Sequence, residues 1–269
     1  MMSCKINNAG ARLAMAVTAA DPNYIYIVSS GLLSGMAGTF QGLYRSTDSG
    51  NCFELRSTTP NILGYETNGS DNKQQSFYNL AIAVSPTNRD EVHVGGIQCW
   101  RSLNGGQNWT NTTNWFEPGA GAGNYNHADI HALEYVGPTL YSGSDGGVYK
   151  TDNQADDWEN ISQGLVITQF YRIATFSENT TAFVAGGTQD NGINLLENSG
   201  AGFGELAHWE GADGFECAAD TANNFLYGEV YYGCILRYSY PGGAVVNAAP
   251  FPADSNSSCT GAWLTPFTF

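Results

Sequence analysis

The residues best suited to chemistry are aspartates in glycine-flanked turns. Asp145, Asp190 and Asp213 each follow a β-like stretch, in Gly143-Ser144-Asp145-Gly146-Gly147, Gly187-Thr188-Gln189-Asp190-Asn191-Gly192 and Gly211-Ala212-Asp213-Gly214. Converging carboxylates raise one another's pKa, which suits paired acid and base work. Glycoside hydrolysis asks for two carboxyls about 5–10 Å apart. Asp129 joins this candidate catalytic set. His127, Asp129 and His131 alternate, so on a strand their side chains share a face and offer two imidazoles and a carboxylate to a divalent metal ion. No cofactor is otherwise required. Trp115, Phe116 and Tyr125 bracket the glycine-rich stretch 117–124, and Trp115 and Tyr125 are candidate sugar platforms. Gln189 and Asn191 join them as candidate ligand-binding residues, and Tyr231-Tyr232 is a weaker aromatic pair. Each aspartate has a bland alternative, in which Asp and Gly simply make a tight turn.

Other chemistries lack support. The chain of 269 residues contains no GxSxG, P-loop or HExxH. Its formal charge is −15, with 25 acids against 10 bases, so it lacks the basic face that nucleic acid requires. No apolar run reaches the ~18–20 residues of a membrane span, so no membrane insertion is expected. Charged residues are 13% of the chain and aromatics also 13%, which is not the composition of a disordered protein. Six cysteines stand without CxxC spacing, which argues against a zinc ribbon. They allow fifteen pairings, and buried free thiols are an equal alternative.

The elements that must hold these residues recur along the chain. A unit made of an alternating apolar stretch, a turn and a second β-like stretch starts near residues 13, 80, 131, 170 and 215. Leu13–Ala20, after Lys5 and Arg12, imitates a short signal peptide, but its Leu13–Thr18 part has a repeat partner in Leu80–Ser85, which favours a strand. No helical apolar period is sustained. The chain therefore reads as all-β, with about five blades' worth of four-stranded antiparallel propeller. The units fall near 13–60, 80–115, 127–165, 169–209 and 211–240 of a single domain spanning 1–269. Residues 241–269 are expected to be a C-terminal extension or a partial blade.

A second motif closes the first three units: Tyr44-Arg45-Ser46-Thr47-Asp48-Ser49-Gly50-Asn51-Cys52-Phe53, Trp100 to Trp109, and Tyr149 to Trp158. The template is aromatic-basic-Ser/Thr-x-Asp/Asn-x-Gly-x-x-aromatic. Hydroxyl and Asp/Asn groups bond backbone within such a turn, and Gly supplies positive φ. Asp48, Asn104 and Trp158 are therefore expected to hold the fold. Ala155 replaces the glycine in the third copy, so that turn is expected to be the least regular.

These motifs resemble the Asp-box (BNR) repeats of sialidases, xyloglucanase-like glycoside hydrolases and sortilin-type secreted propellers. The xyloglucanase-like group is the nearest, on His127 to Leu133, Gly143 to Tyr149, Gln169-Phe170-Tyr171, Gly187 to Gly192 and Gly211 to Phe215. The resemblance implies a propeller of six to eight blades, extracellular or at the cell surface. It also implies polysaccharide or oligosaccharide binding, with glycoside hydrolysis by axial carboxylates. The alternative is a non-catalytic protein–protein interaction or adhesion propeller of the sortilin-like type, with a protein partner. The sialidase resemblance fails at that family's arginine triad: the chain has only seven arginines, no Arg-Ile-Pro element stands near its N-terminus, and Arg45 and Arg101 belong to the repeated turns.

Overall fold

The computed structural model describes residues 6, 10–31, 40–115, 124–165, 167–178, 181–198, 207–210, 212–239, 245–247, 259 and 261–266. The chain divides into two compact units, Met1–Val166 and Ile167–Phe269. Every regular element among the described residues is a strand, apart from the short 3-10 turn η1 (Tyr231–Gly233).

The first unit holds three antiparallel four-stranded sheets, each a sequential meander. Sheet one is β1 (Arg12–Val17), β2 (Ile25–Ser30), β3 (Phe40–Ser46) and β4 (Glu54–Ser57). Sheet two is β5 (Ala81–Val84), β6 (Val92–Gly95), β7 (Cys99–Ser102) and β8 (Thr110–Asn111). Sheet three is β9 (Ile130–Val136), β10 (Thr139–Ser144), β11 (Gly147–Thr151) and β12 (Glu159–Asn160). The stretch that imitates a signal peptide is thus β1, paired in register from Arg12↔Ser30 to Val17↔Ile25.

The alternation along β5 shows why these sheets pack face to face. Side chains of a strand point alternately to its two sides. Ile82 and Val84 join Tyr26, Val28, Leu43, Val92, Val94 and Trp100 in one buried cluster with sheet one. Ala81 and Ala83 face the other way, into a cluster with Ile130, Leu133, Leu140, Tyr149 and Trp158 of sheet three. A strand buried on both faces needs apolar residues at every position, and all four residues of β5 are buried.

The second unit holds two further meanders. One is β13 (Phe170–Glu178), β14 (Thr181–Thr188), β15 (Gly192–Asn198) and β16 (Ala207–Glu210). The other is β17 (Gly214–Asp220), β18 (Phe225–Val230), β19 (Cys234–Ser239) and β20 (Val245–Asn247). Their core joins Phe183, Ala185, Ile193 and Leu195 to Cys217, Leu226, Val230 and Tyr238. β20 lies in the segment expected to be an extension or partial blade, and it pairs with β19 as a fourth strand. A Cβ on Gly187 would stand 2.1 Å from the Phe215 nitrogen, and one on Gly214 would stand 2.2 Å from the Gly192 oxygen. The glycines of these two motifs therefore serve close backbone approach.

The three repeated turns share one hydrogen-bond pattern. In the first, the Ser46 hydroxyl donates to Asp48 Oδ1 (2.7 Å) and accepts from the Gly50 N–H (2.9 Å), and Asp48 Oδ1 accepts from the Cys52 N–H (2.9 Å). Ser102 and Asn104 repeat it on Gly106 and Asn108, and Thr151 and Asn153 repeat it on Ala155 and Asp157. Ala155 corrects one expectation. Its turn is as regular as the others, with Gln154 at φ 61° and Ala155 at φ 67°, beside Gly105 at 66° and Gly106 at 82°. Left-handed backbone costs a non-glycine residue about 1–2 kcal/mol. The Ala155 methyl is wholly buried in the cluster with Trp158, which offsets that cost.

The cysteines divide between the two readings. Cys234 is joined to Cys259, and Cys52 is also disulfide-bonded. Cys99 and Cys217 are buried free thiols, and burial pushes each up to about 12, so both stay protonated and inert.

Candidate functional site

Two of the candidate aspartates meet within the first unit. Asp129 directly precedes β9 and has a left-handed backbone, φ 66°. Aspartate is among the few residue types that accept this conformation readily. The bend is held by hydrogen bonds from the Asp129 N–H to the Ile97 carbonyl (3.3 Å) and from the Ile130 N–H to the Gly96 carbonyl (2.7 Å). Asp145 sits in the turn between β10 and β11, and its N–H donates to the Asp129 carbonyl (3.3 Å). Gly146 is required beside it, because a Cβ there would lie 2.2 Å from the His127 ring. The two carboxylates bring oxygens within 4.8 Å of each other.

Their surroundings differ. Both oxygens of Asp145 are engaged, Oδ2 by the Tyr78 hydroxyl (2.8 Å) and Oδ1 by His131 Nε2 (2.7 Å). The Tyr78 ring meets the His131 ring edge to face at 4.7 Å. Asp129 receives the amides of Gln75 and Asn79 on a single oxygen, Oδ1, the latter at 2.6 Å. Among the described residues its Oδ2 accepts nothing. Burial, reinforced by the Asp145 charge, raises the Asp129 carboxyl from 3.8 to about 6, against the lowering effect of Gln75 and the two histidines. The pair thus sets a carboxyl held through both oxygens beside one that keeps its proton to near-neutral pH.

Gln75 is itself aimed. The Tyr65 hydroxyl donates to Gln75 Oε1 (2.9 Å), which turns its amide nitrogen toward Asp129. Burial raises the Tyr65 phenol, with Asp129 and Asp71 adding to it. Trp115 supports Tyr65, since its indole Nε1 donates to the Tyr65 carbonyl (3.3 Å) and the two rings meet edge to face at 6.4 Å. Tyr125 packs edge to face on Tyr149 at 6.1 Å. Phe116 and the stretch 117–123 lie outside the described residues.

The expected metal trio does not run along a strand face. Extended backbone starts only at Ile130, and the left-handed turn at Asp129 breaks the alternation that would align His127, Asp129 and His131. His127 Nδ1 lies 3.1 Å from the Ala128 carbonyl, and His131 is committed to Asp145. Oxygen donors for a hard divalent cation are available on Asp129 and Asp145 instead.

Asp190 and Asp213 belong to the second unit. The Asp190 N–H donates to Asp213 Oδ1 (3.1 Å), and Asp190 takes a left-handed turn conformation, φ 58°. The Gln189 N–H bonds the Gln169 carbonyl (3.2 Å), and the Asn191 amide donates to the Gln189 carbonyl (3.1 Å). These contacts fit the turn-making role for that set.

Sequence reasoning did not find Tyr65, Gln75, Tyr78 and Asn79. They come from the segment between β4 and β5, which matches no repeat. The one signal was a polar and aromatic run, Gln74-Gln75-Ser76-Phe77-Tyr78-Asn79, in a place where the repeat leaves extra length.

No protein-family model matches the chain, and no curated protein matches it. Among solved structures it is similar to the GH74 xyloglucanase from Xanthomonas campestris, at 19% identity and TM-score 0.41, over 87% of this chain and 38% of that one. YCF48 from Cyanidioschyzon merolae matches at 15% identity and TM-score 0.36, over 93% of this chain and 72% of that one. PorZ, a surface component of the type-IX secretion system of Porphyromonas gingivalis, matches at 14% identity and TM-score 0.36, over 87% and 41%. The chain thus spans well under half of the xyloglucanase's length.

Proposed function

We propose that this protein is an extracellular or cell-surface β-propeller that binds glycans and hydrolyses a glycosidic bond with Asp129 and Asp145. The observation that carries the reading is the pair itself: two carboxylates with oxygens within 4.8 Å, one raised to about 6 and one fixed by Tyr78 and His131. Asp129 acts as the general acid, giving the proton on its free oxygen to the departing glycosidic oxygen. Asp145 attacks the anomeric carbon, and the glycosyl ester is then released by a water that Asp129 deprotonates. A short carboxyl separation, about 5 Å, favours this retaining course over the inverting one.

The repeated Ser/Thr–Asp/Asn turn supports the Asp-box reading, and four-stranded meanders packed face to face support propeller blades. The Cys234–Cys259 disulfide supports an oxidising compartment.

The test is hydrolysis of a panel of neutral oligosaccharides and aryl glycosides by the parent chain and by Asp129→Asn and Asp145→Asn. Turnover is expected to fall by at least about 10²-fold in each variant. In the parent it should also fall as pH rises through about 6, where Asp129 loses its proton. Binding without turnover, unchanged in both variants, would leave the non-catalytic interaction propeller as the reading.

A further inference from the structure

A second feature lies in the unit Ile167–Phe269. Three aromatic side chains stand together in solvent there: Tyr231 (39% exposed), Tyr232 (46%) and Trp263 (47%). The Tyr231 and Trp263 rings are stacked in an offset, nearly parallel arrangement, 12° apart with centroids at 5.7 Å. Tyr232 stands at 81° to Trp263, 5.2 Å away, as a wall beside it. Buried Phe215 supports Trp263 from below, edge to face at 5.7 Å.

The chain holds these rings in place against the hydrophobic effect, which would bury them. The Cys234–Cys259 disulfide ties the terminal segment to the start of β19. The Gly261 N–H donates to the Tyr232 carbonyl (2.7 Å), and the Tyr232 N–H donates to the Trp263 carbonyl (3.3 Å). The Thr265 N–H bonds the buried Glu229 carboxyl (2.5 Å). Gly261 is needed at its position, since a Cβ there would meet the Tyr232 oxygen at 2.7 Å. Tyr232 itself is held left-handed at φ 64°, a conformation that is rare and strained for an aromatic residue. Strain and cross-linking together keep three apolar rings fixed and facing water.

The polar heads of these rings narrow the choice of ligand. Among the described residues, the Tyr231 and Tyr232 hydroxyls and the Trp263 indole N–H make no hydrogen bond. A flat apolar face bordered by unused donors matches a pyranose, which has C–H groups on its face and hydroxyls around its edge. Its C–H groups are drawn to the negative face of an aromatic ring. A purely apolar partner would bury those heads unpaired, at a cost. The net charge of −15 disfavours an anionic glycan. We infer that Tyr231, Tyr232 and Trp263 form a docking platform for a neutral pyranose of a glycan chain. The inference shares a ligand class with the reading of the Asp129–Asp145 pair but none of its residues, and it stands whether or not that pair is catalytic.

The test is affinity electrophoresis and calorimetry of the full chain on neutral polysaccharides (β-1,4-glucan, β-1,3-glucan, mannan) and their hexasaccharides. The parent is expected to bind at least one. Trp263→Ala and Tyr231→Ala should each weaken that binding by roughly ten-fold or more, while Trp263→Phe, which keeps a ring face, should retain most of it. Loss of turnover in Asp129→Asn and Asp145→Asn and loss of docking in Trp263→Ala and Tyr231→Ala are read separately. Near-UV dichroism and an intact Cys234–Cys259 bond check that the alanine variants fold. If Trp263→Ala misfolds, Tyr231→Ala carries the same reading. Failure of the parent to bind any of these glycans would overturn the inference, as would parental affinity in a folded Tyr231→Ala or Trp263→Ala chain.

Discussion

Asp129→Asn should stabilise the first unit, and only above a certain pH. The Asp129 carboxyl is raised from 3.8 to about 6, chiefly by burial and then by the charge of Asp145. The folded state therefore takes up this proton more readily than the unfolded chain does. The stability linked to it is fully present below about pH 4 and is lost as pH rises through about 6. A shift of about two units corresponds to about 3 kcal/mol, or about 2 kcal/mol allowing for the partial solvent access of the group. Asparagine keeps an Oδ1 to accept the amides of Gln75 and Asn79 but never ionises. At pH 8 the variant should thus be more stable than the parent by about 2 kcal/mol, or roughly 5 °C in melting temperature. At pH 4 the two should melt together. Calorimetry at both values measures this directly. A variant that is less stable at pH 8, or a difference that does not change with pH, would refute the claim that Asp129 is held in an environment hostile to its charge.

Two further perturbations probe the scaffold that carries the site. Gly106→Ala places a Cβ 1.9 Å from Leu43 Cδ2 in the core, at φ 82°, whereas Gly50→Ala, at φ 88°, meets only Ile25 Cδ1 at 3.2 Å. Urea unfolding should show a loss of about 3 kcal/mol for the first and about 1 kcal/mol for the second, and equal losses would mean that backbone strain alone decides. Glu91 is buried between sheets two and three, where it accepts from the Tyr135 hydroxyl and the Gln154 amide (3.0 Å each) and lies 3.2 Å from buried His93 Nε2. Burial pushes its carboxyl up, but the His93 and Tyr135 contacts outweigh this and leave it below the ordinary value. Burial also holds His93 below 6.5. Both effects stabilise the neutral-pH fold: the His93 part is lost as pH falls below about 6.5, and the Glu91 part below about 4.5. Glu91→Gln should cost about 2 kcal/mol at pH 7 and flatten the acid limb of a stability–pH curve. An unchanged acid limb would assign the acid lability to other groups.

What could be read from the sequence was what is local in it. Period-two alternation in Leu13–Thr18 and Leu80–Ser85, cut by Asp21-Pro22-Asn23 and Pro86-Thr87-Asn88, is enough to indicate antiparallel strands, because a strand pair joined by a short turn needs no distant partner. The repeated turn was legible for the same reason, since the hydroxyl of Ser46 and the carboxylate of Asp48 bond backbone within six residues of themselves. Ala155 shows the limit of that locality. The glycine preference is a backbone term of about 1–2 kcal/mol, and the burial of a single methyl among residues from two sheets, about 0.8 kcal/mol, is of similar size. Only the tertiary surroundings decide between them.

The site was legible in half. Asp129 and Asp145 could be picked out as carboxylates in turns, but the inference that aligned His127, Asp129 and His131 assumed a backbone extended through all three. Asp129 departs from it because its N–H is drawn to the Ile97 carbonyl of the neighbouring sheet, and an aspartate can take the left-handed turn that this demands. The residues that hydrogen-bond the two carboxyls are further away still. Gln75 and Asn79 lie 54 and 50 residues before Asp129, and Tyr78 lies 67 before Asp145. They sit in a segment that breaks the repeat. A repeat accounts for the positions its units have in common. The hydrogen bonds that orient Asp129 and Asp145 differ, and the amides of Gln75 and Asn79 and the Tyr78 hydroxyl come from residues the units do not share. In a repeat protein, then, the extra length between units is where a site's unshared hydrogen-bond partners should be sought first, and here the segment from Tyr65 to Asn79 supplies them.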